Sequence, residues 1–86
     1  MPDSIRIDKL LFFLRLAKSR TLVHGWAEAG HIRVNGRRIE KGSAAIEPGD
    51  VVTMPTDDSV IAVKLLAIPT RRGPPLEAQA SYQLLQ

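Results

Sequence analysis

Eighty-six residues leave room for one small domain, and a chain this short buries too little surface to enclose a large active site, so function is expected on its outside. The lack of cysteine excludes disulfides, thiolate nucleophiles and Cys-based zinc sites, and the longest strongly apolar run, 10–14, is far below the roughly 18 residues of a membrane span. The net charge of +3 is uneven: nine of the twelve Lys and Arg fall within 6–41 against three acids (Asp8, Glu28, Glu40), leaving that segment +6 and the remainder −3, an asymmetry suited to nucleic acid, an anionic membrane or an acidic partner.

The start, Met-Pro-Asp-Ser-Ile-Arg, has no apolar signal core, so a soluble, uncleaved, cytoplasmic protein is expected. From Ile7 the apolar residues Ile7, Leu10, Leu11, Leu14 and Ala17 follow the i, i+3, i+4, i+7 spacing of an amphipathic helix, with Asp3 or Ser4 as its N-cap. On that wheel Asp8 and Arg15 share a flank, and Lys9, Phe12 and Leu16 lie opposite the main stripe. Lys18-Ser19-Arg20-Thr21 interrupts the pattern, and Ser19 or Thr21 can cap a second helix of about ten residues. This helix is expected to bury Leu22, Val23, Trp26 and Ala29 and to end at Gly30. Arg20, His24 and Glu28 recur every four residues on its other face, beside Thr21. Gly25 costs about 1 kcal/mol relative to Ala inside a helix, which close approach of another element would explain.

The stretch His-Ile-Arg-Val-Asn-Gly-Arg-Arg-Ile-Glu-Lys, 31–41, predicts a hairpin, because Asn35-Gly36 can take the positive φ values of a type I′ turn. A two-residue loop sets Val34 opposite Arg37, Arg33 opposite Arg38 and Ile32 opposite Ile39. Like charges placed directly opposite cost up to about 1 kcal/mol, which an external anion would relieve. The alternative is a solvated edge whose arginines splay apart and discourage strand addition. Lys41-Gly42-Ser43 and Glu47-Pro48-Gly49-Asp50 are turn signals around an inward Ile46. Strands are expected at 51–54 and 60–68, a polar turn at 55–59, irregular chain at 69–75, and a short helix or frayed end at 76–86. The order implies an α+β fold, two short N-terminal helices packed on a small antiparallel sheet, with an irregular or short-helical C-terminal tail.

Arg6-Ile7-Asp8-Lys9-Leu10, Arg15, Lys18-Ser19-Arg20, Ala29-Gly30, Ile32-Arg33-Val34-Asn35-Gly36, Lys41 and Pro48-Gly49-Asp50-Val51 together resemble the RNA-binding domain named after ribosomal protein S4. The specific element is the ordered set R-x-D, S-R, G-x-x-x-V-N-G and P-G-D over 6–54; a lone V-N-G is not distinctive. Arg71-Arg72-Gly73-Pro74-Pro75 with Glu77-Ala78 and Tyr82 is similar to the tail of the heat-shock protein 15 family of small ribosome-associated proteins. The resemblance implies an S4-like unit at 1–68, with its core motif at 6–54, and an Arg/Pro-containing tail at 69–86. It implies RNA binding through Arg6, Lys9, Arg15, Lys18, Ser19, Arg20, Thr21, His24, Arg33, Asn35, Arg37, Arg38 and Lys41. It also implies the partners: ribosomal RNA and tRNA, on a large ribosomal subunit still carrying a tRNA-linked nascent chain. The chain departs from its relatives at Phe12, where they often carry Trp, at Trp26, where they carry a small residue, and in lacking a long basic extension after the Tyr82 region. If that extension adds ribosome affinity, weaker binding or a different subtype is expected here.

Arginine's planar fork suits phosphate, lysine adds point charge, and hydroxyls and free N–H groups at a helix start add donors. With only Phe12, Phe13, Trp26 and Tyr82 as aromatics, and Trp26 on the apolar stripe, recognition of structured RNA by shape, phosphate and 2′-OH fits better than single-strand stacking. Several residues also have structural readings: Asp8 as an arginine partner or helix-start charge, Asp50 as a turn residue, His31 as a strand start. Arg71 and Arg72 can equally keep a proline-containing loop soluble. A metal-free ribonuclease would need His24, His31 and Lys41 to converge, which nothing in their spacing requires, and no phosphate loop or hydrolase motif accompanies them. A non-catalytic protein without cofactor or metal, free of membranes and monomeric, is therefore expected. The competing roles are ribosome assembly and a module for acidic proteins or anionic surfaces.

Overall fold

Alternating apolar residues along 51–55 and 60–65 form the two central strands of a five-stranded antiparallel sheet in the computed structural model, which describes residues 3–85. In chain order the elements are β1 (Ile5–Arg6), α1 (Ile7–Phe13), α2 (Arg20–Glu28), β2 (Arg33–Val34), β3 (Arg37–Arg38), β4 (Ala45–Ile46), β5 (Val51–Pro55), β6 (Val60–Leu65), α3 (Pro75–Gln79) and β7 (Tyr82–Leu84). The sheet runs β3-β2-β5-β6-β7, and β1 pairs separately with β4. Val52 opposes Val63 and Met54 opposes Ile61. These inward residues meet Ile7, Leu10, Leu11 and Val23 from the helices, with Ile32 and Ile46, in one core. The α+β architecture is the expected one, with α3 as the short helix of the tail.

Helix α1 is shorter than its apolar spacing implied. It ends at Phe13, with Leu14 as C-cap, and Arg15 takes φ 62°, a left-handed conformation unusual for a side chain other than glycine, asparagine or aspartate. Leu16 and Ala17 both donate backbone N–H groups to the Leu11 carbonyl, so Leu14 and Ala17 stay buried in a tight corner instead of a third helical turn. Arg15 consequently leaves the flank it was expected to share with Asp8. Neither Asp3 nor Ser4 caps the start. Arg6 is the extended N-cap, and the first-turn N–H groups of Ile7 and Asp8 find the carbonyls of Ala44 and Gly42, at 2.8 and 3.0 Å. Tertiary pairing thus satisfies donors that a capping side chain would otherwise take.

Helix α2 starts as expected, with Ser19 Oγ accepting from Leu22 N at 3.1 Å. It ends in a Schellman arrangement: His31 N donates to Trp26 O, Gly30 N donates to Ala27 O, and Gly30 adopts φ +78°. Its buried face is narrower than expected. Val23 and Ala27 are buried, Trp26 only half so, and Leu22 and Ala29 are exposed. A side chain at Gly25 would meet nothing within 4 Å, so crowding does not account for that glycine.

The hairpin has the expected register, Arg33 opposite Arg38 and Val34 opposite Arg37, with Asn35 at φ 53° and Gly36 at φ 84°. The segment after Ile68 is more ordered than its composition suggested, since β7 extends the sheet by pairing with β6, Leu65 opposite Tyr82 and Val63 opposite Leu84. Its entry is tied to the α1 corner. Arg72 Nε donates to Phe12 O at 3.0 Å with its guanidinium 4.7 Å from the Phe12 ring centre, and Arg15 Nε donates to Gly73 O. Arg71 forks onto Glu77, whose side chain lies so close to Gly73 that a Cβ there would collide with it.

Candidate nucleic-acid interface

The basic face is organised around one buried carboxylate. Asp8, with no solvent exposure, accepts from Arg6 Nε and Nη2 at 3.2 and 3.0 Å, Arg20 Nη2 at 3.2 Å and His24 Nε2 at 2.8 Å. Its own helix adds the Lys9 N–H at 2.7 Å. The turn from β1 into α1 presents Arg6, while Arg20 and His24 stand one turn apart on α2. Burial alone would push the Asp8 carboxyl up. The hydrogen bonds from Arg6, Lys9 N–H, His24 and Arg20 outweigh it and hold the group below its ordinary 3.8. An ionised carboxylate only accepts, so His24 Nε2 carries the proton of that bond.

Two guanidinium groups against one carboxylate leave the cluster with excess positive charge. About half of the Arg6 and Arg20 side chains remains open to solvent. Arg6 uses two of its three nitrogens on Asp8 and Arg20 one, which leaves donors in fixed orientation for an external phosphate. His24 is set by contact from its other side: a Cβ at Gly42 would lie 2.5 Å from His24 Nδ1, so only glycine fits there. A cleft of about 250 Å³ beside this cluster is lined by Arg6, His24, Lys41 and Ser43, with Glu28 and Glu40 also contributing.

The hairpin supplies the second basic group. Arg33, Arg37 and Arg38 are exposed. The opposed pair diverges: Arg33 Nη1 reaches the Gly36 carbonyl at 3.3 Å, while the Arg38 stem runs over Gly30, where a Cβ would sit 3.2 Å from Arg38 Cδ. Part of their repulsion is therefore relieved within the chain, and the hairpin's charge pattern does not by itself require an anion. Asn35 is engaged internally, with Nδ2 donating to Asp50 Oδ1 and Oδ1 accepting from Val51 N, both at 2.9 Å. Asp50 in turn accepts from Glu47 N, so Asn35 anchors the hairpin to the turn before β5.

The remaining predicted residues are spread out. Lys9 lies 5.4 Å from the Phe13 ring centre, Thr21 is exposed, and Ser19 caps α2. Arg15 and Lys18 line a separate cleft beyond the α1–α2 corner. His24 and His31 share no hydrogen bond, the former being held by Asp8. Sequence reasoning placed Asp8 beside an arginine but missed its reach to α2, and it missed Gly42, the tie from Arg72 to Phe12, and the position of Trp26 at a cleft. The one available signal was R-x-D at the start of an apolar helix, since an acid so close to the apolar stripe needs partners when buried.

Known proteins resemble this chain in sequence and in fold. A family model described as S4 domain matches residues 5–52. The solved trimeric structure of Vibrio cholerae Heat Shock Protein 15 superposes with a TM-score of 0.87 at 30% identity, covering 94% of this chain and 81% of that one. The Bacillus subtilis RQC P-site tRNA stabilizing factor is 36% identical over 61 residues, 71% of this chain and 70% of that protein. The small ribosomal subunit protein uS4 of Gloeobacter violaceus is 34% identical over 70 residues, 80% of this chain but 34% of its own length. The chain thus spans about a third or less of the uS4 proteins it matches.

Proposed function

Because the chain belongs to the S4 domain family, we propose that it binds structured RNA, ribosomal RNA together with tRNA, on the large ribosomal subunit and acts in the rescue of stalled nascent-chain complexes. The observation that carries this reading is the Asp8 cluster: a buried carboxylate fixes two half-exposed arginines and leaves their remaining donors facing outward. Fixed donors around excess positive charge bind phosphate in a set geometry without reading base sequence. Arg37, Arg38 and Lys41 extend the basic surface, and Arg33 and Asn35 shape the hairpin that presents it. The likeness to a factor named for stabilising P-site tRNA supports the rescue role over assembly.

On this reading residues 1–68 form the RNA-binding unit and make most of its contacts, Arg72 and Gly73 of the 69–86 tail brace the α1 corner, and the chain works in the cytoplasm as a monomer that binds and does not catalyse. The test is co-sedimentation with large ribosomal subunits carrying or lacking peptidyl-tRNA, alongside binding to structured RNA, duplex DNA and anionic vesicles at one salt concentration. Preference for the tRNA-carrying subunits and for structured RNA is expected; equal affinity for all three probes would reduce the surface to a generic cation. Affinity should fall with salt at a log–log slope of roughly −4 to −6, as neutralising about five to seven phosphates requires.

A further inference from the structure

Trp26 is half-buried on α2. It packs against the edge of the core and also helps wall a cleft of about 540 Å³ between the α1–α2 corner and the turn joining β5 to β6, a volume within the roughly 300–1,000 Å³ typical of small-ligand sites. Leu22, 40% exposed, and Ile61 extend its apolar wall. Arg15, Lys18 and Arg72 supply three cations, and Asp57 is the sole carboxylate among the described lining residues. Arg15 and Arg72 each anchor Nε on a backbone carbonyl, which holds the guanidinium in place while leaving its terminal nitrogens available. Tryptophan beside aliphatic groups suits a flat aromatic ring, and three cations against one acid suit phosphate attached to it. An apolar peptide would satisfy the wall but leave the excess positive charge unmatched.

We propose that this cleft receives an unpaired nucleobase of the bound RNA, stacked against Trp26, with the flanking phosphates held by Arg15, Lys18 and Arg72. The proposal rests on the RNA reading above and adds a base-accepting site to a surface that otherwise meets phosphate. Lys18 lines the cleft and lies two residues before Arg20 of the Asp8 cluster, so one strand crossing the α1–α2 corner reaches both.

Trp26 is the only tryptophan, so its emission reports on this cleft directly. The probes are an RNA hairpin with one bulged adenosine and the same hairpin with an abasic ribose at the bulge, followed by tryptophan emission and by anisotropy of labelled RNA. The bulged adenosine should quench Trp26 and bind about 5- to 150-fold tighter than the abasic hairpin, the ratio expected for one stacked base. Trp26→Leu should erase that ratio while keeping affinity for the abasic hairpin; circular dichroism checks its folding, and the wild-type comparison stands without it. Equal affinity for the two hairpins, or binding of the bulged hairpin with unchanged emission, would overturn the proposal while leaving the RNA reading intact. Binding of neither hairpin would sink both. An emission change that follows protein concentration alone would give the cleft to a second copy of this chain and overturn the proposal.

Discussion

Two arginine–carboxylate forks sit at opposite ends of the chain, and they have almost the same geometry. Arg6 holds Asp8 at 3.2 and 3.0 Å, and Arg71 holds Glu77 at 3.1 and 2.7 Å. By length alone the second is the stronger. Their surroundings reverse the order: Asp8 is buried and takes further donors from Arg20, His24 and its own helix, whereas the Arg71 and Glu77 side chains are 66% and 48% exposed and have each other. Water screens the exposed fork and competes for both partners, so its attraction adds little. The buried carboxylate has lost its water, and the side-chain donors that replace it join β1 and α2 to α1. A fork between surface groups is an ornament of the tail; the same fork around a buried oxygen pair joins β1, α1 and α2.

The sharpest way to separate the two is to remove the acids. Asp8→Ala should lower stability by about 2–3 kcal/mol, since several charge-assisted hydrogen bonds go together, and should weaken RNA binding because Arg6 and Arg20 lose their shared anchor; thermal unfolding and anisotropy measure both. Acid titration of the melting temperature gives the next effect. Asp8 titrates below its ordinary value in the folded chain, so its contribution is fully present above the unfolded carboxylate range and is lost as pH falls through the folded value. Asp8→Asn should flatten that acid limb below about pH 4. Removing cations should weaken binding in each case, and should lower stability only where the cation also holds Asp8. Arg20→Ala, and the double change Arg33→Ala/Arg38→Ala, should each reduce RNA affinity several-fold and make the salt slope shallower by about 1 for each phosphate no longer neutralised; melting should stay near wild type in the hairpin variant and fall in Arg20→Ala by less than in Asp8→Ala. Unchanged affinity in both would dismiss the proposed surface. Smallest of all, Glu77→Gln should leave both melting temperature and RNA affinity where they are, as an exposed pair predicts. A clear loss of stability there would erase the contrast between the two forks.

Features decided by neighbouring residues are legible in the amino-acid sequence. Asn35-Gly36 specifies its turn through backbone conformation, Ser19 caps within three residues, and Gly30 ends α2 by adopting the left-handed conformation. Each outcome is settled inside a few positions, so the sequence pattern carries it. Features that need a distant partner are not legible in this way. The apolar spacing through Ala17 is the same whether the chain stays helical or turns at Arg15, and the contacts that accompany the turn include residues as distant as Arg72 and Gly73. Strand β7 depends on β6 offering an edge. The candidate site divides along the same line: the basic residues are readable as a set, while their grouping around Asp8 depends on α2 lying alongside the start of α1. The helical phase of Trp26 points it at the core, and phase says nothing about how wide the buried face is.

The corner after α1 has a further meaning in time. Its carbonyl at Phe12 and its guanidinium at Arg15 are answered by Arg72 and Gly73, 60 and 58 residues later. The corner joining α1 to α2 is therefore latched by residues near the far end of the sequence. Such long-range closure comes late in folding because the intervening chain must first be ordered. The Trp26 cleft borrows Arg15 from the early segment and Arg72 from the late one. Loosening the tail would therefore take Arg72 from this cleft while leaving the Asp8 cluster, whose side-chain ties lie within residues 6–24, intact.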